Sequence, residues 1–176
     1  MPDVIFQRFL DNAAAEAEDL ADRSDVLSVH TDPRAPATFW CEFAVPYLQR
    51  LAGGLVGIHP GPVLAAVHFP PDYLRSTDPH LYLHVAAVAT PRVAHPNIRG
   101  SGVCLGSAFR AGTRLGIILR ELYEIFTYSN YSLVESNSLN PEACRLLRAH
   151  GHLLEDLAPR PFVRRTPHLR VRVSPL

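Results

Sequence analysis

Lysine is missing from this chain: all seventeen basic residues are arginine, and seventeen acidic residues bring the formal net charge to zero. That balance leaves no electrostatic footprint for nucleic acid, so no nucleic-acid partner is expected. The local run of Arg164, Arg165, Arg170 and Arg172 reads as a solvated tail. Long hydrophobic runs are also missing. None approaches the roughly 18 apolar residues of a membrane span, and the amino-terminal stretch lacks the basic, apolar, cleavable pattern of a secretory signal. These absences predict a cytoplasmic protein with no membrane partner. Cysteine is sparse and odd in number, with Cys41, Cys104 and Cys144 and no CxxC pair. That pattern argues against a disulfide scaffold and a cysteine-rich zinc site, and no metal or cofactor is expected. The missing lysine has a plain account in the arginine codons of a GC-rich genome. It gains a functional one only if the protein handles groups that react with lysine.

What is present fits a single globular domain over residues 1–176, with 47% hydrophobic and 19% charged residues. Apolar positions Ile5, Phe6, Phe9, Leu10, Ala13, Ala17, Leu20 and Ala21 recur at helical spacing behind Asp3, a suitable cap. After a loop at "TDPRAPA", the β-branched and aromatic stretch "TFWCEFAVPYL" predicts a first strand, with Cys41 in its core. A Gly/Pro turn then leads to a strand over Val63 to Phe69, and "HLYLHVAAV" alternates as a third. Short links between these strands predict an antiparallel meander. Beyond Cys104 the period changes: Leu115, Ile118, Leu119, Leu122 and Ile125 describe a helix from about Thr113 to Tyr128. "LNPEACRLLRAHG" sets Asn140 as N-cap, Pro141 at the first helical position and Gly151 past the end of another. The alternation of "HLRVRV" predicts a closing edge strand. The class is α+β in one domain.

Chemistry concentrates in "HPNIRGSGVCLG", residues 95–106. Between Val103 and Leu105, Cys104 reads either as a small buried hydrophobe or as a thiol on a permissive loop, since Gly100, Gly102 and Gly106 allow positive φ. His95 could act as its base in a Cys/His pair, or brace the turn by hydrogen bonding. A metal set of His84, His95 and Cys104 has no recognised ligand spacing.

The segment resembles the active-site stretch of ubiquitin-conjugating enzymes, in which an HPN tripeptide precedes a cysteine followed by leucine. "VLAAVHFPPDYL" is similar to the family's third strand and its Phe-Pro exit, and "SLNPEACRLLRAH" to its Leu-Asn-Pro-Glu-Ala helix start. The resemblance covers about residues 3–150 and leaves 151–176 as a divergent extension. It implies the UBC-like fold: N-terminal helix, antiparallel meander, HPN/Cys segment, crossing helix and C-terminal helix. By this resemblance Cys104 would accept a ubiquitin-like protein from an activating enzyme as a thioester and pass it to an amine of a target protein. An ordinary thiol, a few per cent ionised at neutral pH, suffices for exchange between thioesters of similar energy.

Asn97 then matches the residue whose amide steadies the oxyanion, a contribution of roughly 3 kcal/mol, although a role in holding the loop is also argued. His95 matches a mostly structural residue. Four departures accompany the likeness, one of them the alteration of the family's Pro-rich strand after the tyrosine to "LRSTDPHLYL". Asn97 and Cys104 lie one residue closer than usual, Phe109 stands in place of the tryptophan common after the cysteine, and Asn137 replaces an acidic residue, with Glu135 out of register. They point to a divergent bacterial relative; such proteins tend to accompany an activating enzyme, a ubiquitin-like protein and a deconjugating protease, often in antiphage defence. The alternatives are a non-catalytic binding module of the same fold and a cysteine hydrolase built on Cys104 and His95.

Overall fold

The computed structural model describes residues 3–76, 85–106, 109–157 and 160–164. The chain opens with helix α1 (Val4–Asp22), where the Asp3 carboxylate accepts hydrogen bonds from the N–H groups of Ile5 at 3.0 Å and Phe6 at 3.3 Å. Two of the four donors that any helix start leaves unpaired are thereby satisfied. Leu10, Ala13, Ala17 and Leu20 form the buried stripe of α1.

Among the described residues eight strands follow: β1 (Leu27–Asp32), β2 (Ala35–Phe43), β3 (Tyr47–Arg50), β4 (Val56–His59), β5 (Val63–His68), β6 (Ala86–Val88), β7 (Ile98–Arg99) and β8 (Gly102–Val103). Six of them make one antiparallel sheet in the order β1-β2-β5-β6-β8-β7, and β3 and β4 pair as a separate hairpin. Alternation decides which face is covered: Phe39, Cys41 and Phe43 of β2 and Val63, Ala65 and Val67 of β5 are buried. Their neighbours Trp40 and Leu64 point the other way and stay exposed. Helix α2 (Leu115–Phe126) buries Leu115, Ile118, Leu119, Leu122 and Ile125 in the same core, with Phe126 against Phe43 at 5.1 Å between ring centroids.

Two further helices complete the described residues, α3 (Pro141–Ala149) and α4 (His152–Glu155). Asn140 caps α3 as expected, its side-chain oxygen accepting from the Ala143 N–H at 3.2 Å. Among the described residues no helix is long and apolar enough to cross a membrane.

The α+β class, the first helix, β5, α2 and α3 agree with the sequence expectations. Three local expectations do not. The first predicted strand has a partner before it: β1 and β2 form a hairpin around Pro33 and Arg34, with the Arg34 N–H bonded to Asp32 Oδ1 at 2.8 Å. "TFWCEFAVPYL" breaks after Phe43, and its Tyr47 starts β3. The stretch read as a Gly/Pro turn holds β4. Of "HLYLHVAAV", Ala86–Val88 form β6, while residues 80–84, including His84, lie outside the described residues, as does "HLRVRV". Part of the extension after residue 150 returns to the core, since Phe162 is buried, accepts a hydrogen bond from Ser24 Oγ at 2.5 Å and faces Tyr123 at 4.9 Å.

Candidate functional site

The HPN segment enters the fold through a buried turn. His95 is fully buried, and its Nδ1 accepts a hydrogen bond from the Asn97 N–H at 3.0 Å. That acceptor role puts the proton of the neutral ring on Nε2. Nε2 is buried without a hydrogen-bond partner among the described residues, beside the rings of Tyr128 at 4.9 Å and Tyr131 at 6.3 Å between centroids. Desolvation therefore disfavours the charged ring and pushes its pKa down to about 3. Neither ring nitrogen hydrogen-bonds the sulfur of Cys104, so His95 stands as a brace of the turn.

From Ile98 the chain makes a hairpin. Ile98 pairs with Val103 and Arg99 with Gly102, with Gly100 at φ 61° in the turn. A two-residue loop of this kind calls for positive φ at its first position, which glycine adopts without strain. Gly106, just past the cysteine, also takes positive φ at 86°, whereas Gly102 sits in the strand.

One step outward, Asn97 and Cys104 hold each other. The Cys104 N–H donates to the Asn97 carbonyl at 2.8 Å, and the Asn97 side-chain amide donates to the Cys104 carbonyl at 3.2 Å. Of the three cysteines, Cys41 and Cys144 are buried, and only Cys104 reaches the surface. Burial pushes the Cys41 thiol up to about 12. Of the three thiols, Cys104 alone is accessible to a reagent from solvent.

The segment is fastened from behind by the start of α3. The Pro96 carbonyl accepts from the Asn140 N–H at 2.9 Å and from Ser138 Oγ at 3.0 Å. The Asn140 amide donates to the Ile98 carbonyl at 2.7 Å, while its oxygen also accepts from Arg50 at 3.0 Å. The motifs "HPN" and "LNPE", more than forty residues apart, thus meet in space. Sequence reasoning had Asn140 as a helix cap alone, and it missed Arg50 and Tyr128. The Tyr128 hydroxyl accepts from the Leu48 N–H at 3.2 Å and donates to the Ala94 carbonyl at 2.9 Å, tying β3 to the residue before His95.

Glu135 is occupied by Arg145 at 2.8 Å and Arg148 at 2.7 Å; the hydrogen bond from Arg148 foremost holds its carboxyl below the usual range. Phe109 packs against the core, 6.4 Å from Tyr73 between centroids. Among the described residues no three metal-ligating side chains gather into a cluster. No protein-family model matches the chain, and no curated protein matches it. The functional reading therefore rests on these residues and their geometry.

Proposed function

We propose that this chain carries a ubiquitin-like protein on Cys104 and belongs by function and fold to the ubiquitin-conjugating class. The observation that carries the reading is the coincidence of three features at one place. Cys104 is the one thiol at the surface, it is held by the asparagine of the HPN segment, and that segment is fastened to the Asn-Pro-Glu start of α3. An N-terminal helix packed on an antiparallel sheet is the frame this class requires.

In the loading step the Cys104 thiolate attacks the carbonyl carbon of a thioester on the activating enzyme. A new C–S bond forms, the old one breaks, and the leaving thiolate takes up a proton. In the discharge step an amine attacks the same carbon, a C–N bond forms, the Cys104 thiolate leaves, and the amine gives its extra proton to water. Neither step changes an oxidation state. A hydrolase would ask more of its neighbours, because a base must activate water or the thiol, and the nitrogens of His95 are spent or buried.

The test is a loading assay with an activating enzyme, ATP and a ubiquitin-like protein. The expected result is a shifted band that thiol reagents remove, that becomes thiol-resistant with Cys104→Ser and that vanishes with Cys104→Ala. A shifted band that persists with Cys104→Ala would sink the proposal, and so would its absence with every cognate pair tried.

A further inference from the structure

Beside the thiol segment lies a cavity of about 250 Å³ whose lining includes Arg50, Arg92, Arg99, Gly100, Asn140 and Glu142. Three arginines and one glutamate line it, leaving two positive charges in excess. Arg50 is the anchored member: its side chain is only 26% exposed, and it bonds Glu142 at 2.7 Å and Asn140 Oδ1 at 3.0 Å. The side chains of Arg92 and Arg99 make no hydrogen bond or ion pair among the described residues. Arg23, Arg75, Arg114, Arg145, Arg148 and Arg164, away from the cavity, are each paired with an Asp or Glu. What sets Arg92 and Arg99 apart is that two arginines without a carboxylate partner line the same small polar cavity as the anchored Arg50.

The backbone fixes one of the two in place. Arg92 has φ 63°, a left-handed conformation that residues other than glycine, asparagine and aspartate seldom adopt, and only Tyr128 shares it among the described non-glycine residues. The chain is kept there by the Arg50 N–H bonded to the Arg92 carbonyl at 2.9 Å and by the bridge between Gln49 and Val93. A strained residue held from both sides sets Arg92 at the cavity. The cap of α3 is already filled by Asn140, so the surplus positive charge is that of the guanidinium groups.

We propose that this cavity binds a phosphate dianion, free or as a monoester. The guanidinium fork matches tetrahedral oxyanions through paired N–H donors, and the two surplus charges match the charge of about −2 that a phosphate group carries near neutral pH. The volume admits one such group and its water, and is too small for a folded segment. The proposal stands apart from the thioester reading, and its test involves no transfer reaction.

The test follows thermal unfolding and calorimetric binding with inorganic phosphate, glycerol phosphate and acetate, at matched ionic strength in chloride. Both phosphates, or inorganic phosphate alone, should raise Tm in a saturable way, and acetate should not. The first pattern identifies a monoester ligand and the second a free anion. Arg92→Gln with Arg99→Gln should weaken phosphate binding by about tenfold or more, as the loss of charge-assisted hydrogen bonds predicts. The Tm in chloride alone should hold, because both side chains are exposed. Arg8→Gln with Arg34→Gln, both exposed and outside the cavity, removes the same two charges and should bind as the parent does. Equal stabilisation by acetate, an equal loss with Arg8→Gln and Arg34→Gln together, or no phosphate effect at all would each overturn the proposal.

Discussion

Acid should loosen the segment that holds Cys104, and His95 sets the size of the effect. The neutral ring is buried, with an Asn97 N–H and two tyrosine rings as its recorded partners, and its pKa is pushed down from 6.5 to about 3. In the unfolded chain the same ring takes a proton below about pH 6.5. Between the two values the unfolded state binds one proton more than the native state, so stability rises with pH across this window. The contribution of the neutral ring is whole above about pH 6.5 and is lost as pH falls toward about 3. At 1.36 kcal/mol per unit, the loss reaches about 2 kcal/mol by about pH 5. That is a large share of the 5–15 kcal/mol typical of a domain.

The assay is urea unfolding near neutral pH and at about pH 5, for the parent and for His95→Asn. The asparagine oxygen can take the place of Nδ1 as acceptor for the Asn97 N–H, and the loss of ring packing lowers stability at neutral pH by about 1–3 kcal/mol. What should vanish is the extra pH dependence, since every other titrating group is common to both proteins. A variant as acid-sensitive as the parent would refute the reasoning. An independent check is the imidazole resonance of His95, which should not titrate between neutral pH and about pH 5; a midpoint near 6 would mean the ring is hydrated.

The other predictions are local. Alkylation of the native protein should add a single adduct, at Cys104, and Cys104→Ser should remove it; a second adduct before unfolding, read by mass spectrometry, would contradict the burial of Cys41 and Cys144. Asn97→Ala should lower stability by about 1 kcal/mol through loss of the bond to the Cys104 carbonyl, slow thioester loading a few-fold, and slow discharge by about thirtyfold. Equal slowing of both steps would show the amide to be a clamp alone. Ser101→Lys puts an amine on the exposed hairpin tip beside the thiol and should produce a thiol-resistant self-conjugate in the loading mixture. Its absence would leave the lack of lysine to codon preference.

What could be read in the sequence was what short range decides. Asp3 and Asn140 act on N–H groups two or three residues ahead, so both helix starts were visible from the residues alone. The stripe of α2 was visible because its period is intrinsic to a helix. β1 was hidden by its place at the edge of the sheet, where only Leu27 is buried and the rest of its pattern is half-exposed or exposed. β3 and β4 were hidden because their few residues serve a small separate cluster around Leu48, Ala94, Tyr128, Leu147 and Leu157. At the site the thiol, the amide and the imidazole were all nameable in advance. Their supports were not, because Arg50, Tyr128 and Ser138 come from elements that only tertiary packing brings to the segment.

The short step from Asn97 to Cys104 takes on a different meaning once the hairpin is known. Ile98 faces Val103 and Arg99 faces Gly102, and the same register carried outward sets Asn97 opposite Cys104. Their main-chain hydrogen bond at 2.8 Å continues the ladder. Directly opposed residues project to the same face with Cβ atoms about 5 Å apart, so amide and thiol are neighbours by construction. A step of seven residues is what a two-residue turn needs to achieve this pairing. The amide's bond to the Cys104 carbonyl is long at 3.2 Å and lies at a half-buried position, so releasing it costs about 1 kcal/mol. An oxyanion on the carried thioester would return about 3 kcal/mol for the same donor. Under the proposed transfer reaction, that difference would let one asparagine hold the loop at rest and turn toward the reacting carbonyl. It is why Asn97→Ala should slow the discharge step far more than it unsettles the fold.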